Sequence, residues 1–264
     1  VFESFLICLL FGVFSGLLAG LFGIGGGIVL VPFFVWLFES REIDENLLMV
    51  MAIATSLATI VMTSMAAIMA HHRLGGVLWD KVFDLLPGIL LGTVTGAVLA
   101  DFLPHVGLRT LFAGFLFYVA WNMGKAADSI TEMRREDTVC YRFAGYYIGF
   151  LSAILGIGGG TITVPLMIKK GMPMRYAVAV SSACGLPIAL MGTLSYAILG
   201  WRTGDISSGF LGYVYLPAFF GIIASSLLTA PIGARLAHKL PTRTLKRYFS
   251  ILLCVVAFKL LQVI

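Results

Sequence analysis

The chain has 264 residues, of which 59% are hydrophobic and only 12% charged, against roughly 25% charged in an ordinary soluble domain. That balance excludes a soluble globular protein and indicates an integral membrane protein. The net charge of +5 comes from basic residues gathered in short loops, where they set orientation in the membrane, so no nucleic-acid partner is expected.

The first apolar segment, residues 4–38, is interrupted by FGIGGGIVLVP, Phe22 to Pro32. A straight helix of that extent would be about 52 Å long at 1.5 Å per residue, well beyond a hydrocarbon core of about 30 Å. The start, VFESFLICLLFG, carries Glu3 where a secretory signal has a basic region, and the segment recurs later in the chain, so it is expected to belong to the mature fold. Gly12, Gly16 and Gly20 stand at small-xxx-small spacing and read as helix contacts.

Uninterrupted apolar stretches follow at 47–70, 85–104 and 106–124. Each has the length of a membrane-crossing helix and none shows the alternation of a barrel strand. The first carries Thr55 and Ser56 and ends in the pair His71-His72, which reads as a solvated interface pair. A polar run, KAADSITEMRREDTV, marks a cytoplasmic linker over 125–141.

A second interrupted segment then covers 142–168, with LGIGGGTITVP at Leu155 to Pro165, and further apolar stretches lie at 177–200, 209–231 and 248–264. Pro87 and Pro217 read as kinks in corresponding helices, and Trp36, Trp79, Trp121 and Trp201 as interface anchors near span ends. Cys8, Cys140, Cys184 and Cys254 show no CxxC spacing, so neither a metal site nor a disulfide framework is indicated.

The two interrupted segments are copies. Gly23, Gly25, Gly26, Gly27 and Pro32 align with Gly156, Gly158, Gly159, Gly160 and Pro165; Thr55-Ser56 corresponds to Ser181-Ser182, and GAVLADFLP (96–104) to GARLAHKLP (233–241). The chain therefore divides into homologous repeats, residues 1–124 and 142–264.

Basic residues give the topology. If both interrupted segments crossed the membrane, the 18 Lys and Arg would split 8 to 10 and set no orientation. If both fold back at GIGGG, only Arg41, Arg109, Arg202 and Lys259 lie on one side and the other 14 lie opposite, which obeys the positive-inside rule. Each repeat then has three full crossings, an odd number, so the copies are inverted. The expected fold is all-α: two repeats in inverted topology, each a re-entrant helical hairpin plus three transmembrane helices, the architecture of secondary transporters.

Glycine clusters weaken a helix by about 1 kcal/mol per residue relative to alanine, and irregular backbone at membrane depth persists only where it is buried or lines a polar cavity. At these breaks the absence of side chains lets an anion approach the N–H groups, and the helix restarting at Ile28 or Thr161 points a positive end at it. The hydroxyls of Thr161, Thr163, Thr55, Ser56, Ser181 and Ser182 are candidate further donors. No Lys, Arg, Asp or Glu falls in the middle of a crossing helix, which favours a small anion held by neutral groups; carbonyl ends of the half-helices leave Na⁺ as an alternative. Nucleotide-binding and serine-hydrolase motifs are absent, and no cofactor or metal is called for.

Taken together, the duplicated GIGGG…VP hairpin, the Thr-Ser pair, HHRLGGVLW (71–79) and the repeated GAxLAxxLP resemble the TauE/SafE family of sulfite and organosulfonate exporters. The resemblance covers essentially the whole chain. It implies a multi-pass inner-membrane transporter of small sulfur-containing anions, in many members directed outward, with the glycine motif at Gly23, Gly25, Gly26, Gly27 and Gly156, Gly158, Gly159, Gly160. The second repeat departs from the first, having SSACGLP where the first has TSLATIV. The resulting expectation is a non-enzymatic secondary transporter working by alternating access, with a proton or Na⁺ as candidate coupling ion. The alternatives are a passive anion channel and a membrane-embedded sulfur-handling enzyme, for which Cys184 would be the reactive group.

Overall fold

The computed structural model describes residues 2–237, apart from 24, 42, 125–137 and 203–208, together with residue 258. The described part is almost entirely helical: α1 (Phe2–Phe22), α2 (Gly27–Glu39), α3 (Glu45–Arg73), α4 (Trp79–Phe102), α5 (His105–Gly124), α6 (Thr138–Leu155), α7 (Gly160–Lys169), α8 (Met174–Leu199) and α9 (Leu216–Ala237). A two-stranded antiparallel hairpin, β1 (Phe210–Leu211) with β2 (Val214–Tyr215), precedes α9.

Four of these helices, α3, α4, α8 and α9, are long and apolar enough to cross a membrane, which makes this an all-α, multi-pass membrane protein. Their burial is unequal and sets the layout. Within their most apolar stretches 83% of α3 and 67% of α8 is buried, against 44% of α4 and 39% of α9. Accordingly α3 and α8 pack together at the centre, while α4 and α9 turn large apolar side chains such as Phe83, Leu91, Phe220 and Leu228 outward.

The tightest helix pairs are α1 with α9 and α4 with α6, and glycine makes both possible. A Cβ on Gly12, Gly16 or Gly20 would strike the carbonyls of Ile222, Ser226 or Ala230; one on Gly145 or Gly149 would strike those of Leu85 or Ile89. The contacts advance by four residues on both partners, so each pair runs parallel with main chains in direct touch. The Ser225 hydroxyl donates to Leu9 O across the first pair at 2.7 Å. Gly96 and Gly233, from the repeated GAxLA sequence, occupy matching places against Phe150 and Leu17. The spacing at 12, 16 and 20 is thus helix packing.

Several sequence expectations shift. The apolar stretch 209–231 is a hairpin followed by a helix, since positive φ at Gly209 and Gly212 turns the chain before Leu216. Pro217 sits in the first turn of α9, where its missing N–H costs nothing, so the kink-bearing position in that helix is Pro231; Pro87 does lie inside α4. Residue Thr138 already begins α6, inside the segment read as linker, while 125–137 and nearly all of 248–264 lie outside the described residues. His71 is fully buried, its Nε2 3.3 Å from Gly20 O, and only His72 is exposed.

The polar groups collect at two opposite ends. Arg109 pairs with Glu39 at 3.1 Å, and Arg41 bonds the Tyr215 hydroxyl, at the end where α5 starts and α2 finishes. The other end, where α4 and α6 begin, holds Lys81, Tyr141 and Lys170. The 24 residues of α4 separate them by about 36 Å.

Replacing Gly16 or Gly149 by Val drives a branched side chain into facing main chain, so each is expected to lower stability by about 1–3 kcal/mol or more. Gly114→Ala, with open space around it, is expected to stay within about 1 kcal/mol of the parent. Thermal unfolding in detergent, followed by loss of the monodisperse peak, measures both.

Candidate functional site

Helix α1 ends at Phe22 and the chain reverses, so that Phe11 of α1 stacks on Phe33 of α2 with ring centres 4.0 Å apart. Glycine carries the reversal: Gly23, Gly25 and Gly26 have φ of 66°, 72° and 80°, left-handed values that side chains resist. The second break repeats this with Gly156 at 65° and Gly159 at 74°. In each, the last left-handed glycine is the N-cap of the restarting helix: the Gly26 carbonyl accepts from Val29 and Leu30 N, and the Gly159 carbonyl from Ile162 and Thr163 N.

The two breaks touch. A Cβ on Gly25 would lie 3.3 Å from Gly158 Cα, and one on Gly27 would lie 2.9 Å from Ile157 Cα and strike Gly156 O. They meet against the central turns of α3 and near those of α8, where Ile60 packs on Gly25 and Gly27, and Gly185 lies beside Gly158. Any side chain at Gly25 or Gly27 would separate them.

Two crossed hydrogen bonds hold the breaks to the central helices. Ser56 Oγ in α3 donates to Gly156 O at 2.8 Å, and Ser181 Oγ in α8 donates to Gly23 O at 2.9 Å. The exchange is reciprocal, since α3 follows the first break but serves the second, and α8 the reverse. It also corrects the register: Ser56 matches Ser181, which puts Thr55 opposite Val180 and Ser182 opposite Leu57. Ile53 and Val178 fall into line as well, contacting Gly156 and Gly23.

These bonds occupy part of the breaks' main-chain polar groups. The carbonyls of Gly23 and Gly156 are occupied, and Thr63 Oγ1 lies 3.4 Å from that of Gly25. Among the described residues no acceptor is bonded to the N–H groups of Gly26, Gly27 and Ile28, or of Gly159, Gly160 and Thr161. Among the described residues the carbonyls of Ile157 and Gly158 also receive no hydrogen bond, so the breaks offer both amides and carbonyls, of which the amides at the helix starts suit an anion.

The hydroxyls named from the sequence separate accordingly. Ser56 and Ser181 spend their single O–H on the carbonyls, Ser182 donates to its own helix at Val178 O (3.0 Å), and Thr55 accepts from Tyr215 N at 3.0 Å to hold the β hairpin. Thr161 and Thr163 have buried hydroxyl oxygens with no hydrogen-bond partner among the described residues. Of the further hydroxyls of that kind, Ser15 and Ser152 flank the breaks and were not singled out by sequence: Ser15 backs onto Gly26, and Ser152 Oγ is 3.3 Å from where a Gly159 Cβ would be. Their signal was a lone serine in the helix leading into each break. Cys184 is fully buried in α8.

A bundle of apolar crossing helices built round paired, donor-lined helix breaks defines a multi-pass membrane transporter. The family profile described as Sulfite exporter TauE/SafE matches residues 8–260, and the chain belongs to that family. It is 37% identical to a probable membrane transporter protein of Haemophilus influenzae over 262 residues, covering 98% of this chain and 99% of the relative. It is 26% identical to a probable membrane transporter protein of Methanocaldococcus jannaschii, covering 97% and 94%. A Sulfite exporter TauE/SafE family protein 5 of Arabidopsis thaliana is 25% identical over 103 residues, covering 39% of this chain and 23% of the relative. No solved structure matches the chain.

Removing either crossed bond leaves a buried carbonyl unpaired, at a cost of about 1–3 kcal/mol. Ser56→Ala and Ser181→Ala are each expected to lower the unfolding midpoint, by similar amounts, whereas Ser182→Ala changes it little. Melting curves of the three purified variants provide the check.

Proposed function

We propose that the chain exports a small sulfur oxyanion, sulfite or an organosulfonate, across the inner membrane as a secondary transporter. The anion binds between the two glycine breaks, on the open N–H groups at the starts of α2 and α7 and the hydroxyl of Thr161. The observation that carries this reading is that serines take the Gly23 and Gly156 carbonyls, while the amides at the starts of α2 and α7 have no acceptor among the described residues. A cation would rest instead on break carbonyls, of which those of Gly23 and Gly156 are taken by serines.

Two features support inverted repeats moving against each other. The pairings α1 with α9 and α4 with α6, and the crossed serine bonds, are each the image of the other under exchange of the halves 1–124 and 142–264. The α1–α2 reversal opens toward the end carrying Arg41, and the α6–α7 reversal toward the end carrying Lys170. With the basic end cytoplasmic, the two hairpins open to opposite sides, and alternating access consists of releasing the anion first to one and then to the other. The sulfur oxyanion is the substrate class that the family description carries, and a tetrahedral or pyramidal oxyanion has enough acceptors for amides from both breaks.

Thr161→Val removes one donor without changing volume. Uptake of radiolabelled sulfite into proteoliposomes is expected to be saturable in the parent and reduced about tenfold or more in Thr161→Val, with a monodisperse protein in both. Equal flux in the two would remove the second break from the binding site; sodium flux without anion flux would reverse the sign of the site.

A further inference from the structure

The two breaks are packed differently at one place. In the register set by Ser56 and Ser181, Ile60 of α3 corresponds to Gly185 of α8, and Gly25 of the first break to Gly158 of the second. At the first break the Ile60 side chain fills the place: a Cβ on Gly25 would lie 2.8 Å from its Cγ2, and one on Gly27 would lie 2.9 Å from its Cδ1. At the second break glycine leaves that place to oxygen. The point that a Gly185 Cβ would occupy is 3.0 Å from Ser64 Oγ and 3.1 Å from Gly158 O, and the next nearest atom of another element is Gly158 C at 3.9 Å. Where the first break meets an isoleucine, the second meets a notch faced by a hydroxyl and a carbonyl.

Close packing of the break on α8 accounts for a glycine at 185, but it does not account for Ser64. A serine inside an apolar helix ordinarily bonds the preceding turn, as Thr59 and Thr63 do on the same helix. Ser64 is buried at 3% exposure, and its hydroxyl bonds no group among the described residues. Its counterpart in α8 is Ala189, so the first break has no matching hydroxyl there. The Gly158 carbonyl likewise receives no hydrogen bond among the described residues. A carbonyl facing a hydroxyl repels an anion and offers a small hard cation the oxygen ligands it takes. Carbonyls of unwound backbone in broken membrane helices hold Na⁺ in this way.

We infer that the notch beside Gly185 is a Na⁺ site, in which Gly158 O and Ser64 Oγ bind the ion and water completes its shell. Its link to the anion rests on the reading given under Proposed function and is direct. The Gly158 carbonyl and the Gly159 N–H belong to one planar trans peptide group and point opposite ways. A cation on the carbonyl polarises that peptide and makes its N–H a stronger donor. Sodium and the oxyanion thus bind opposite ends of a single peptide at the start of α7, and each raises the affinity for the other. Ile60 fills the corresponding place at the first break, so this coupling site belongs to the second repeat alone.

The test is thermal unfolding of the full chain in neutral detergent, titrated with sodium chloride against choline chloride at constant ionic strength. Sodium is expected to raise the midpoint saturably by about 2–4 °C. The rise should vanish over the same concentration range in Ser64→Ala, which removes one ligand, and in Gly185→Ala, whose methyl occupies the notch. Sulfite added as a sodium-free salt is expected to lower the half-saturating sodium concentration about fivefold or more. Thr161→Val, titrated without sulfite, keeps the sodium response, so a failed anion site and a failed sodium site give different results. No rise with sodium in the parent, or an equal rise in Ser64→Ala, would overturn the inference. An unchanged half-saturation in a parent that transports sulfite would overturn the link through the shared peptide; should Gly185→Ala not fold, Ser64→Ala carries the test with the same criteria.

Discussion

Within hydrocarbon a main-chain carbonyl without a partner costs several kcal/mol, and this molecule interrupts two helices in its interior. The serine hydroxyls of the central helices make that tolerable. Ser56 and Ser181 reach across to the far break and cover one carbonyl each. Each serine stands in the helix that follows the other break, so each break depends on a residue placed beyond the other one. The crossed bonds thus join folding and site formation: the same two contacts that let the breaks exist also decide which of their polar groups stay available.

Close main-chain approach is the second requirement. The glycines at 12, 16, 20, 145 and 149 bring α1 and α6 into direct contact with the main chains of α9 and α4, because a Cβ at any of them would strike a facing carbonyl. Lipid offers no hydrophobic driving force between helices, so dense van der Waals contact and interhelical hydrogen bonds such as Ser225 to Leu9 O supply the association. The burial order follows: α3 and α8 inside, α4 and α9 at the lipid.

Much of this was legible in the residues. Glycine at small-xxx-small spacing reports helix contact because nothing else in an apolar helix needs a missing side chain, and a duplicated GIGGG reports two breaks because glycine alone tolerates the left-handed turns found there. What escaped is governed by packing rather than pattern. The serine pairing was off by one residue, because sequence shows that hydroxyls are present but not which way they face. His71 was read as solvated on its polarity, while α3 continues through it and buries it against Gly20. The apolar run at 209–231 concealed a hairpin because Phe210, Val214 and Tyr215 are equally suited to strand and span, and only the glycines at 209 and 212 mark the turn. Ser15 and Ser152 escaped for the opposite reason, since a single serine in an apolar helix ordinarily bonds its own preceding turn.

The central claim is that an anion sits on the amides of both breaks. The most direct measurement is a crystal structure of the protein grown with 2-bromoethanesulfonate, with the bromine located by anomalous scattering. The account predicts one bromine peak beside the breaks, its sulfonate within hydrogen-bond distance of main-chain N–H groups at Gly26–Ile28 and Gly159–Thr161. A protein that transports the compound but holds it elsewhere, with the break amides bonded to water or to a neighbouring carbonyl, would contradict it.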